Sequence, residues 1–111
     1  MAEPKKSQIV QFLPKPSALA AMIRQIAQDS GRVGFGDHSV ERMEERGITR
    51  LDALRVLRFG TIHGSIEQGR SEGEWKCKMV HKSQGSREIG VVTIVIKSQR
   101  LFVKTIEWED R

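Results

Sequence analysis

The sequence predicts an α+β domain in which an N-terminal helix and a helix pair precede a mainly antiparallel sheet of about four strands. Three observations support this fold class. The chain has 111 residues, the usual length of one domain. Apolar residues recur at helical spacing up to Gly60, and beyond it they alternate with a period of two. The later segments are joined by short polar turns, as in an antiparallel meander.

The first helix is predicted to begin the folded domain. Residues 1–16 contain three prolines and three lysines, so they are interpreted as a tail that is flexible or docks locally. Residues 17–111 are predicted to form a single domain. Ser17 is expected to cap the helix and Gly31 to end it. Its apolar positions follow helical spacing: Leu19, Met22, Ile23 and Ile26.

The clearest secondary-structure signals lie between His38 and Gly60, and they predict a pair of helices. The short segment RVGFGD is expected to be a strand or an extended entry to the pair. Gly47 should end the first helix in a left-handed conformation. Thr49 and Asp52 resemble a capping box at the start of the second helix, and Gly60 follows its last apolar residue.

The strands follow as TIHGSI, EWKCKMVHK, REIGVVTIVIK and LFVKTIEWED. Alternation in the second of these predicts one inward face and one largely basic face. The inward set is Trp75, Cys77, Met79 and His81, and the outward set is Lys76, Lys78, Val80 and Lys82. His81 is thus interpreted as a core or edge residue, His63 as a residue without a special role, and Cys77 as a small core residue.

The composition and the net charge limit the class of protein and the kinds of partner that are expected. The chain is 38% apolar and 30% charged, which excludes the disordered class. Its net charge of +5 favours a polyanionic partner such as nucleic acid. Residues 35–74 carry a net negative charge and residues 75–111 a net positive one, so a nucleic-acid contact should centre on the strands.

The single cysteine cannot form an intramolecular disulfide, so a reducing compartment is expected. No run approaches the roughly 18 apolar residues of a membrane span, and no secretory signal is visible. A cytoplasmic protein without membrane association is therefore predicted. The histidines and the cysteine lack zinc-ligand spacing, and no nucleophile motif or phosphate-binding loop is present. The sequence predicts neither a metal nor a cofactor.

Three basic residues on the first helix of the pair form a candidate anion site. His38, Arg42 and Arg46 are spaced four residues apart, so on one helix they share a stripe. Guanidinium groups bind phosphate, and a histidine near a helix N-terminus can exchange a proton with a reacting oxygen. The structural alternative is that both arginines pair with Glu41, Glu45 or strand carboxylates, while the histidine caps the helix.

The string HSVERMEERGIT, followed by a second helix ending in LRFG and then by strands, resembles a family of small uncharacterised bacterial and phage domains. That family is similar to the RelE, ParE and BrnT toxin superfamily and to MqsR-type mRNA interferases, and the resemblance covers about residues 30–108. It implies a RelE-like fold and a metal-independent endoribonuclease that uses the 2′-hydroxyl of RNA as nucleophile. The implied partners are RNA, including ribosome-associated mRNA, and an antitoxin protein.

The resemblance and the basic positions together give a set of candidate site residues. The expected catalytic residues are His38, Arg42, Arg87 and Lys104. The expected RNA-binding residues are Arg46, Lys76, Lys78 and Trp108. Trp108 would stack a base, with packing against the N-terminal helix as the alternative.

Two features depart from RelE-type toxins. The chain has no tyrosine, the residue on which many such toxins stack the substrate base. Acidic residues also lie beside the expected basic surface and would weaken phosphate binding: Glu88, Glu107, Glu109 and Asp110. These features support an alternative function, a catalytically inactive module of the same fold that inhibits or tethers a host protein or nucleic acid. DNA-binding regulation is less favoured because the helix pair has mixed charge.

Overall fold

The computed structural model describes residues 13–83 and 85–110, and it confirms the α+β class. Its helices are α1 (Pro16–Ile26), α2 (Asp37–Arg46) and α3 (Arg50–Phe59), with a short 3₁₀ helix at Ser30–Arg32. Residues 1–12 of the expected N-terminal tail lie outside the described residues.

The described strands form one five-stranded sheet, in the order β1-β5-β4-β3-β2. They are β1 (Val33–Phe35), β2 (Thr61–Gln68), β3 (Glu74–Lys82), β4 (Glu88–Ile96) and β5 (Arg100–Trp108). Strands β2 to β5 form the predicted antiparallel meander. The expectation of about four strands is corrected by β1, which pairs in parallel with β5 and makes the sheet mixed.

Local signals set the bounds of the helix pair. Gly47 ends α2 with a φ of 67°, in the left-handed region that favours glycine. Thr49 and Asp52 form the predicted capping box at the start of α3, with both hydrogen bonds at 3.0 Å. The start of α1 differs from the prediction: Pro16, whose fixed φ suits the first helical position, precedes Ser17, and Lys15 is the N-cap. Helix α1 also ends earlier than expected, at Ile26.

Helices α1 and α3 pack on one face of the sheet, and Met43 of α2 joins the same core from the edge of β5. The predicted alternation of β3 is confirmed for Cys77 and Met79, which are buried in the core, and for Lys76 and Lys78, which lie on the other face and are half-buried. Val80, predicted to point outward, is instead buried, although it is not part of the core cluster. The largest fully buried side chains of the core include Leu19, Ile23, Leu57, Met79, Ile89, Leu101 and Ile106.

The second face of the sheet is called the open face here. The strand register places these residues on it: Lys76 and Lys78 of β3, Val92 and Ile94 of β4, and Phe102 and Thr105 of β5. The apolar members are half-buried or exposed and do not belong to the core. The run Val91–Ile96, apolar on both faces in the sequence, therefore has one face in the core and one on the open face.

Helix α2 lies along the free edge of β5, beyond the end of the short strand β1. The Gly36 backbone N–H donates to the Val103 carbonyl at 3.0 Å, just before α2 begins. At the other end of α2, the Arg46 guanidinium donates to the Ile106 carbonyl at 2.8 Å. These contacts place the N-terminus of α2 at the edge of the open face.

Candidate functional site

A groove on the open face, called the basic groove here, brings three of the expected site residues together. It has a volume of about 390 Å³ and is lined by His38, Lys76, Val92, Lys104 and Thr105. None of these lining residues is acidic. The groove therefore combines an imidazole, two ammonium groups and a hydroxyl over an apolar floor, and this chemistry suits an anionic ligand with an apolar part.

Gly36 allows the N-terminus of α2 to approach the sheet at this point. A Cβ at this position would lie 2.7 Å from the Phe102 ring and 3.3 Å from the Val103 carbonyl oxygen, so a larger residue would displace the ring or move α2 away from β5. The buried Ser39 hydroxyl donates to the Gly36 carbonyl at 2.7 Å and fixes the first turn. His38 is then the second residue of α2, exposed, and beside the unpaired backbone N–H groups that favour anions at a helix start.

A β-bulge puts Lys104 into the groove. Val92 pairs with Thr105 and Thr93 pairs with Val103, so Lys104 is an additional residue on β5 without a partner in the register. Such a bulge redirects a side chain and is common beside functional sites. Lys76 reaches the groove from β3, where it lies opposite Ile94. Among the described residues, neither lysine forms an ion pair.

A second groove adjoins the first and shares Lys76 and Lys104 with it. Its other lining residues include Phe102, Ile94, Arg70, Glu67 and Glu74. The Phe102 ring is 37% exposed, which makes it the exposed large aromatic side chain of the open face. Phe102 is absent from the expected site residues. Following the strand alternation from Lys76 through β4 to β5 would have placed it on the basic face.

Lys78, Arg87 and Trp108 form a separate cluster with the carboxylates of the C-terminal segment, and Arg46 lies beside it. The Lys78 ammonium lies 2.9 Å from Glu109 Oε1 and 3.6 Å from Glu107 Oε2. The hydrogen bond with Glu109 is the main cause that raises the pKa of Lys78. Gly90 makes room for this pair, since a Cβ there would collide with the Glu109 carboxylate. Lys78 is thus neutralised by its neighbours.

Arg87 and Trp108 are also occupied. The Arg87 guanidinium binds the Asp110 carboxylate through two hydrogen bonds of 2.9 and 3.2 Å and lies 3.8 Å above the centre of the Trp108 ring. The Trp108 indole N–H donates to the Arg46 carbonyl at 3.0 Å. The tryptophan therefore joins α2 to the sheet, with one ring face covered by Arg87. Its helical partner is α2, not the N-terminal helix.

The expected stripe on α2 does not act as one site in this structure. Arg42 forms an ion pair with Glu45 at 2.9 Å, as the structural alternative predicted. Arg46 binds a strand carbonyl, whereas the alternative expected a carboxylate. The N-cap of α2 is Gly36 without any side-chain hydrogen bond, so His38 does not cap the helix. Of the three, His38 lines the basic groove.

The remaining candidates lie away from this groove. The His81 ring is half-buried, with its centre 6.1 Å from that of Phe59. His63 lies on β2 opposite Lys78. Cys77 is buried as predicted, and burial raises the pKa of its thiol to about 11. Residues 13–83 and 85–110 contain no group of three or more His, Cys, Asp or Glu side chains that could hold a metal ion.

These observations define a small α+β protein with a basic groove on its open sheet face. The chain belongs to the family described as Domain of unknown function (DUF4258), whose model matches residues 35–108. The match runs from the last residue of β1 to the end of β5 and thus includes every residue of the basic groove. No curated protein and no solved structure matches the chain significantly. None of the helices in the described ranges is both long enough and apolar enough to cross a membrane.

Proposed function

We propose that this protein binds single-stranded RNA on its open face and cleaves it without a metal ion, as a toxin-like endoribonuclease. The observation that carries this proposal is the basic groove, in which His38, Lys76 and Lys104 come together without a carboxylate in the lining. Three elements that are distant in sequence supply these side chains, and a bulge and a glycine help to bring two of them there. Such an arrangement supports binding of a phosphate group.

The proposed reaction is a transesterification at phosphorus. His38 accepts the proton of the RNA 2′-hydroxyl, whose oxygen forms a bond to the adjacent phosphorus. The bond from phosphorus to the 5′-oxygen breaks, and the ammonium of Lys104 donates a proton to that leaving oxygen. Lys76 stabilises the charge on the equatorial phosphorane oxygens. The products are a 2′,3′-cyclic phosphate and a 5′-hydroxyl.

The neighbouring groove offers a place for a base. Phe102 and Ile94 provide an apolar surface next to the two shared lysines, and a base stacked on an aromatic ring contributes about 1–3 kcal/mol. Phe102 is better suited to this role than Trp108, because Arg87 already covers one face of the Trp108 indole. A phosphate held between Lys76 and Lys104 would thus have a base on one side and His38 on the other.

The biological setting proposed is a toxin–antitoxin or mobile-element system that acts on RNA, including ribosome-associated mRNA. Its support is the resemblance of HSVERMEERGIT and the strands after it to the RelE, ParE and BrnT superfamily. In this setting an antitoxin protein would hold the enzyme inactive.

A second candidate function is favoured by a specific observation. The basic groove holds one histidine and two lysines, whereas proton transfer to and from RNA needs both a base and an acid. Lys78 and Arg87, which were expected to assist, are bound to carboxylates. A module that binds RNA on the same face without cleaving it would need no proton transfer.

One experiment separates these functions. Purified protein is incubated in EDTA with a labelled RNA oligonucleotide and with its 2′-deoxy counterpart, and both binding and chain ends are measured. We expect cleavage of the RNA alone, with cyclic phosphate ends, lost in His38→Ala and retained in His81→Ala, a matched control on the opposite face of the sheet. Binding of RNA without cleavage would favour the inactive module. If RNA is neither bound nor cleaved, the proposed function is wrong.

A further inference from the structure

The helices of the pair present two stripes to solvent that no other residue of 13–83 or 85–110 covers. On α3, positions 51, 55 and 59 share one stripe, since they are four residues apart. Leu51 is 51% exposed, Phe59 is 61% exposed, and the exposed Arg55 lies between them. Contiguous exposed apolar surface marks interaction sites in soluble proteins, and here it is combined with a cation at its centre.

Other charges on α3 are already engaged. The Arg50 guanidinium stacks on the Phe35 ring at 4.6 Å, and Arg58 donates to the Ala27 carbonyl at 2.7 Å. Asp52 is buried in the capping box. Arg55 is left without an ion pair among the described residues, so the α3 stripe is apolar with one available positive charge.

The complementary stripe lies on α2 of the same chain. Positions 37, 40, 41 and 44 share one face of the helix. Val40 is 40% exposed, and the carboxylates of Asp37, Glu41 and Glu44 surround it without an ion pair in the described part of the chain. The acidic stripe is about 10 Å long and the α3 stripe about 12 Å, at 1.5 Å per helical residue.

We propose that two copies of this chain form a two-fold dimer in which the acidic stripe of α2 in each copy packs on the α3 stripe of the other. Leu51 and Phe59 then bury their exposed area against Val40, and Arg55 lies among the α2 carboxylates. Both stripes face solvent in the part of the chain that the structure describes, and their opposite charges suit them to each other. In a dimer with a two-fold axis this contact occurs twice, so the assembly is closed and does not grow beyond two copies.

The oligomeric state tests this proposal, measured by light scattering and by sedimentation velocity over a wide range of protein concentration. The wild type should be a dimer that weakens at high salt, because the contact includes charge pairs. Arg55→Glu and the double variant Glu41→Lys/Glu44→Lys should each weaken dimerisation by about tenfold or more, since every reversed pair acts twice. Phe59→Ser should weaken it without altering the salt dependence. Arg100→Glu, a charge reversal on β5, is the matched control and should have no effect.

Mixing the two charge-reversed proteins gives the sharpest result. Each alone places like charges against one another, but in a mixed dimer both contacts are again complementary. A dimer that returns on mixing supports the proposal. The proposal is overturned if the wild type is a monomer at every concentration, if the variants leave its dimer unchanged, or if correctly folded variants fail to associate on mixing. Circular dichroism of each variant distinguishes lost association from lost folding, and none of these results depends on RNA.

Discussion

Replacing both Lys76 and Lys104 by alanine should flatten the dependence of RNA binding on salt concentration. Both lysines line both grooves of the open face. Neither has an ion pair among the described residues, so each is available to bind one phosphate. For a single strand, each neutralised phosphate contributes about 0.7 to the slope of log K against log salt. The double variant should therefore lose about 1.4 of that slope. Lys78→Ala should change it less, because Glu109 already neutralises this lysine.

The assay is a fluorescence-anisotropy titration of a labelled 2′-O-methyl oligonucleotide at several salt concentrations, so that binding is measured without cleavage. Arg100→Ala, which removes one positive charge from the start of β5, controls for the change in net charge. A slope that is unchanged in the double variant would refute the reasoning. An equal change in the Arg100 control would also refute it, because it would show that overall charge rather than the groove governs binding.

Three further outcomes follow from individual contacts. Glu109→Gln should strengthen RNA binding severalfold by releasing Lys78, as measured by the same titration. Because Glu109 raises the pKa of Lys78, their stabilisation is complete below the ordinary lysine pKa and disappears as pH rises through the higher folded pKa. The urea stabilities of the wild type and the variant should accordingly converge in strong alkali. Gly36→Val should lower the free energy of unfolding by about 1–3 kcal/mol in urea titrations, because a Cβ there collides with Phe102; an unchanged stability would contradict the close approach of α2 to β5. Cys77 should resist a thiol reagent at mildly alkaline pH until the protein unfolds, because it is buried and its thiol pKa is raised to about 11; rapid labelling of the folded protein would contradict its place in the core.

The sequence predicted those parts of the fold that depend on local signals. Gly47, in the left-handed region, ends α2, and the capping box of Thr49 and Asp52 begins α3 only two residues later. In β3 the alternation of apolar and polar residues indicates which face is buried. Strand β1 has three residues and pairs in parallel with a strand more than sixty residues later. Its place in the sheet depends on that distant pairing, which no local pattern reveals.

The sequence indicates which types of side chain form the candidate site, but it does not indicate how they are arranged in space. Basic residues of α2 and the strands were expected to act together, and His38, Lys76 and Lys104 do line one groove. Lys104 reaches this groove because of a β-bulge, and the alternation of residues in β5 gives no signal of that bulge. The pairing of Arg87 with Asp110 depends on how the C-terminal segment folds back beside β4, and sequence spacing carries no signal for that contact.

An NMR titration of the protein with a single-stranded 2′-O-methyl oligonucleotide would show directly whether RNA binds the open face. If RNA binds the basic groove, the largest amide shifts should occur at His38, Lys76 and Thr105 and spread to Phe102, with small shifts on the exposed face of α3 around Arg55. Saturable shifts confined to α3, or no saturable shifts at all, would contradict the assignment of the open face as the RNA-binding surface.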